Sequence, residues 1–150
     1  MVVSYLANES PHHLISLYPS ITADYAVVKP GLFNLTNTER LKFPKNGTIE
    51  SYSGFLVNYD PSQPGKWKIA GNWLGFYWVV AVGDPVNGKY PWAVVSDALG
   101  AYVFVLARDV KAYYMMYTTK VAAVLQSQGF VKFWNKLFPT YQLGNCNYSW

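Results

Sequence analysis

From Ile21 to Ala107 the chain is a succession of short β-favouring runs, each stopped by residues that make turns. Ile21 to Val28 is closed by Lys29-Pro30-Gly31, and Leu32 to Leu41 by Pro44-Lys45-Asn46-Gly47. Thr48 to Tyr59 is closed by Asp60-Pro61-Ser62-Gln63-Pro64-Gly65. Lys66 to Asn72 and Phe76 to Val82 follow; Asp84-Pro85-Val86-Asn87-Gly88 then leads to Tyr90 to Ser96, and Leu99-Gly100 to Tyr102 to Ala107. Asn46-Gly47 and Asn87-Gly88 are the strongest hairpin signals, because Asn and Gly tolerate positive φ at a turn centre. Sequential strands joined by tight turns favour an up-and-down antiparallel meander, and closure into a barrel removes its exposed edges.

The rhythm then changes once. Asp109 to Gln128 holds no Pro or Gly, and Val110, Tyr114, Tyr117, Val121 and Val124 or Leu125 fall at helical spacing. Asp109 is placed to cap this helix and Gly129 to end it. Phe130 to Phe138 reads as one more strand. Residues 1–19 carry a short Leu14-Ile15-Ser16-Leu17-Tyr18 run between Pro11 and Pro19.

One domain accounts for all 150 residues: an atypical segment over 1–19, strands over 20–107, a helix over 109–128, then a last strand and tail over 130–150. A hydrophobic fraction of 51% against 13% charged residues is the reverse of a disordered composition. The net charge of +4 is spread without basic clusters, which gives no nucleic-acid footprint. No apolar run reaches the ~18 residues that a membrane-spanning helix needs. No leader-type segment opens the chain, so a secretory leader is expected to be either already removed or absent from this sequence. Sequons at Asn34, Asn46 and Asn147, with a fourth at Asn8 weakened by Pro11, exceed the roughly one that chance supplies. A secreted, glycosylated chain is the expectation.

Catalytic and metal chemistry find little support. His12 and His13 are adjacent, so on a strand they point to opposite faces, with no Cys, Asp or Glu at ligand spacing. No nucleophile turn with a matching base is present. Glu39 and Glu50 are expected on strand exteriors. No catalytic residue, metal or required cofactor is therefore expected.

Several segments, in this order, resemble the lipocalin family. They are Ser20 to Tyr25, Asn46-Gly47-Thr48-Ile49 followed by Gly54, and Pro64 to Ile69. Tyr77 to Val80 followed by Asp84, and Tyr90 followed by Ala93-Val94, continue the series. The most specific is Tyr102 to Asp109, similar to a last barrel strand ending in arginine before the helix. The apolipoprotein D and bacterial lipocalin branches are nearest in flavour. The resemblance implies an all-β, up-and-down calyx with one helix packed outside it, carrying a small hydrophobic molecule such as a retinoid, sterol, bilin pigment or fatty acid. Three departures stand out. The family's Gly-x-Trp on the first strand is missing, so that strand is truncated, rearranged or supplied by residues 12–18. Only Asp84 survives of the second signature, as a structural residue. Cys146 lacks the partner cysteine whose place Ser20 takes, which leaves a free thiol, an accessible tail and a route to a disulfide-linked homodimer.

The resemblance makes Arg108 an inward plug of the closed end. Strand alternation then turns Leu106, Phe104 and Tyr102 inward. The same matching places Tyr77, Val79 and Ala81, Ala93 and Val95, Trp67 and Ile69, and Tyr52 in an apolar ligand cup. Two other readings stay open: an enzyme on this fold acting on a carotenoid-like substrate, favoured by a carboxylate or histidine inside the cup, and a structural or storage glycoprotein whose side chains fill the barrel.

Overall fold

Tight turns set the topology. The computed structural model describes residues 2–7, 21–43, 45–71, 74–132, 137–139, 142 and 146. The strands are β1 (Val2–Ala7), β2 (Thr22–Lys29), β3 (Leu32–Arg40), β4 (Ile49–Asn58), β5 (Lys66–Gly71), β6 (Gly75–Val82), β7 (Trp92–Ser96), β8 (Val103–Ala107) and β9 (Leu137–Pro139). Strands β2 to β8 pair in chain order, each antiparallel to the next. β1 lies antiparallel on β8 and touches β2 through the pair Val2–Thr22, which closes the ring; β9 adds outside β1.

The seven expected runs stand within two residues of their predicted bounds. The first strand differs, because it is Val2–Ala7 and makes the pairing with β8 that closure requires. Residues 12–18, the candidate for that role, lie outside the described residues. Among the described residues of the expected final strand, Leu137 and Phe138 are extended, within β9, and Phe130 to Lys132 form a turn. The two Asn-Gly turns work by different means. Asn87 (φ 50°) and Gly88 (φ 72°) both take positive φ between the bonded pair Val86 and Lys89, the mirror-image turn that suits strand twist. Gly47 is required for space: a Cβ there would sit 1.8 Å from the Leu41 carbonyl oxygen.

Helix α1 (Val110–Ala112), a π-helical turn (Tyr113–Tyr117) and α2 (Thr118–Ser127) occupy the predicted helical stretch. Asp109 caps it, accepting from the Ala112 amide at 2.8 Å. Gly129 ends it in the left-handed region (φ 80°), with Phe130 N–H bonded to the Leu125 carbonyl and Gly129 N–H to that of Gln126. The π turn shifts the buried face. Tyr113, Val121 and Leu125 are buried, while Tyr114, Tyr117 and Val124 are half-buried at its edge.

Two apolar cores lie on opposite faces of β7 and β8. On the outer face Trp92, Val94, Val103, Val105 and Ala107 pack under Tyr113, Val121, Leu125 and Phe130. On the inner face Ala93, Val95 and Leu106 join Ile21, Ala23, Leu35 and Leu56 from across the barrel. All five residues of β7 are buried, which explains the apolar run Trp92 to Val95; the polar Ser96 at its end donates to the Tyr102 carbonyl at 2.7 Å. Ala81, expected in the cup, packs with the outer core instead. The register of β6 on β7 slips between Val79 and Ala81, and this bulge carries Ala81 to the other face.

Trp92, 1% exposed, fills the base of the outer core, and Gly83 makes room for it. A Cβ on Gly83 would lie 2.6 Å from Trp92 Nε1 and 2.9 Å from Pro91 Cγ. Gly83→Ala should therefore destabilise the fold by about 1–3 kcal/mol, the range for overpacking a filled core. Urea denaturation checks this, and an unchanged midpoint would show that the loop yields freely.

Candidate functional site

Alternation on curved strands leaves a cavity inside the barrel of about 350 Å³. Each wall strand contributes through its inward parity. Ile21, Ala23 and Tyr25 come from β2 and its approach, and Leu35, Asn37 and Glu39 from β3. Tyr52, Ile69, Tyr77 and Val95 come singly from β4, β5, β6 and β7, and Phe104 and Leu106 from β8. Along β3 the lining runs towards the β3–β4 turn. One step the other way, Phe33 packs edge-on against Trp67, with ring centroids 5.2 Å apart, in the part of the barrel that side chains fill.

Among the apolar lining residues stands a pair of phenols. The hydroxyls of Tyr25 and Tyr77 lie 2.5 Å apart, and their rings meet edge to face at 6.4 Å. Burial pushes the Tyr25 hydroxyl up to about 12; the Tyr77 bond opposes this shift and the charge of Asp24 adds to it. Burial likewise pushes Tyr77 well above the ordinary tyrosine value, reinforced by Tyr25. Both phenols are neutral at physiological pH. Nearer the β3–β4 turn the lining turns polar: Asn37 and Glu39 face the cavity, and Tyr52 donates to Glu50 Oε2 at 2.5 Å.

Of the residues expected to bind ligand, Tyr52, Ile69, Tyr77, Val95 and Phe104 line this cavity. Trp67, Val79 and Ala93 belong to the same inner cluster but lie off the cavity wall. Tyr102 is not part of the cavity wall. It precedes β8, where Asp97 Oδ1 accepts from the Ala101 and Tyr102 amides and holds the turn, leaving the residue 51% exposed. Glu39, expected on the exterior, lines the cavity, because it shares the parity of Leu35. Ile21, Ala23, Tyr25, Leu35 and Asn37 were not anticipated. The register Tyr25–Leu35 places these two strands in phase, but polar Asn37 and Glu39 on the inward parity hide that face from a hydropathy pattern.

Arg108 does not plug the barrel. Its side chain is exposed, and Nε donates to the Tyr90 carbonyl at 2.8 Å, tying the end of β8 to the β6–β7 connection. Asp84 is also exposed and pairs with Lys120 at 2.6 Å, and this bond lowers its carboxyl from the usual value. An exposed pair of this kind contributes little. Asn46 stands exposed in the β3–β4 turn; Asn34 is half-buried within β3, between Ala26 and Phe55. Asn147 and Ser20 lie outside the described residues. Cys146 is half-buried, and nearby Gln142 is buried with its amide donating to the Ile21 carbonyl at 3.3 Å. That bond sets Gln142 beside the start of β2, next to the position where the lipocalin resemblance implied a bridge. Among the described residues no group of His, Cys, Asp and Glu is arranged to hold a metal ion. Among them, too, no helix is long and apolar enough to cross a membrane.

No family model matches the sequence. No curated protein matches it either. The fold itself has a counterpart among solved structures: the cockroach major allergen Per a 4 superposes with a TM-score of 0.62 at 12% identity, over 95% of this chain and 83% of that one. At that identity the likeness is one of fold. The architecture is lipocalin-like, an antiparallel up-and-down wall with a helix after its last strand.

The phenol pair makes stability sensitive to alkali. Well below pH 10, Tyr25 and Tyr77 are neutral in folded and unfolded chains alike. As pH rises from about 10 towards 12, the unfolded chain releases protons that the folded chain keeps, so stability falls by up to about 1.4 kcal/mol per unit for each phenol. Urea midpoints at about pH 8.5 and pH 11 should therefore fall further for the wild type than for Y25F/Y77F. Equal falls would mean that the two phenols titrate normally.

Proposed function

We propose that this protein binds a small hydrophobic molecule in its cup and carries it outside the cell. The carrying observation is the apolar cavity of about 350 Å³ with a few phenols on its wall, since small-molecule sites start at roughly 300 Å³ and combine apolar walls with few polar groups. That volume weighs against a barrel packed solid for storage or structure. Retinoids, sterols, bilin pigments and fatty acids are the ligand classes the lipocalin-like fold suggests. Phe104 and Ile69 supply apolar contact on facing parts of the wall. Phe104→Ala should weaken retinol or cis-parinaric acid by about 1–3 kcal/mol, the worth of one large apolar contact. Fluorescence titration measures it; a wild-type protein that binds neither probe overturns the proposal.

Glu39 on the cavity wall is the one observation that favours an enzyme of this fold, because a positioned carboxylate can act as a general acid or base. Recovery of a carotenoid-like substrate unchanged after incubation with the protein would exclude that reading for the compound tested. Secretion is supported by the excess of sequons, and of the two among the described residues Asn46 is more exposed than Asn34. Amidase treatment of protein from its natural source should lower its mass by one glycan at Asn46, and less completely at Asn34, whose strand is paired on both sides. An unchanged mass would remove the support for secretion.

A further inference from the structure

We infer that the Tyr25–Tyr77 pair is a hydrogen-bond donor site for a carbonyl or hydroxyl oxygen of the ligand. This deepens the binding proposal above and rests on it. Two phenols carry two O–H groups, but the contact between them uses one. Whichever hydroxyl donates, the other keeps a proton that no described protein atom accepts. Both residues line the cavity; Leu35, Ile69, Val95 and Phe104 on the same wall carry no side-chain acceptor, and among the described residues the acceptors that the lining does hold, on Asn37, Glu39 and Tyr52, bond neither phenol. A hydroxyl that already accepts a bond is a stronger donor, and a low-dielectric wall strengthens it further. The raised ionisation of both phenols keeps that proton in place at physiological pH. The site therefore favours an apolar molecule that carries an oxygen acceptor at its buried end over the corresponding hydrocarbon, since an unmet donor in an apolar site is costly.

The test uses two near-isosteric probes, 2-acetylnaphthalene and 2-ethylnaphthalene, titrated into the full chain by calorimetry or intrinsic fluorescence. In Y25F/Y77F the ketone should lose on the order of tenfold in affinity, while the hydrocarbon keeps its own. Y25F and Y77F singly each retain one O–H and should lose less than the double variant. Equal losses for both probes, or no loss for the ketone, would overturn the inference. A measurement on the wild type needs no variant to fold: the carbonyl stretch of bound ketone should lie below its value in hexane, and a stretch at the hexane value overturns the inference. Failure of both probes to bind the wild type would instead sink the binding proposal itself.

Discussion

The double-sided burial of β7 and β8 is the constraint on which the rest of the molecule depends. Trp92, Val94, Val103 and Val105 hold the helix against the outside, while Ala93, Val95 and Leu106 help form the inner wall. A strand buried on both faces cannot alternate, so this pair is apolar but for Ser96 at the end of β7. Val121 and Leu125 each gain about 1.5–3 kcal/mol by leaving water, and the helix packs over β7 and β8, one wall of the cup. The outer core thus holds steady the surface against which a ligand would press.

The inner face is built for less than complete filling. Phe33, Trp67 and Val79 occupy one part of the barrel, whereas the stretch from Tyr25 and Leu35 towards Glu39 is open. The phenol pair stands among apolar residues, and polar side chains gather nearer the β3–β4 turn. Apolar walls supply non-directional affinity, and the few polar groups supply orientation. That division of labour follows from residue types at inward positions, and needs no motif.

The likeness to Per a 4 at 12% identity shows how little of the sequence a fold of this kind specifies by identity. What must be kept is a strand rhythm, tight turns and one amphipathic helix. The local fastenings differ from those that the resemblance implied. Arg108 secures a connection from outside the barrel, and Gln142 bonds the Ile21 carbonyl near the position where the resemblance implied a bridge. A single amide bond is a weaker tether than a covalent link, whose removal typically costs about 2–5 kcal/mol in small secreted domains.

The sequence by itself determined the runs that became β2 to β8, the turns at Asn46-Gly47 and Asn87-Gly88, and the helix with its Asp109 and Gly129 ends. These are local matters, decided by turn chemistry, capping and alternation within a few residues. Only the tertiary structure decided that Val2–Ala7 closes the ring, that a bulge after Val79 turns Ala81 outward, and that the wall ends before Tyr102. It also placed Tyr25 across the barrel from Tyr77 and brought Glu39 into the cavity. Strand pairing across a closed sheet joins residues far apart in the chain, and one slipped residue exchanges the two faces. Local pattern therefore names the strands, and the closed register alone decides which side chains meet inside them.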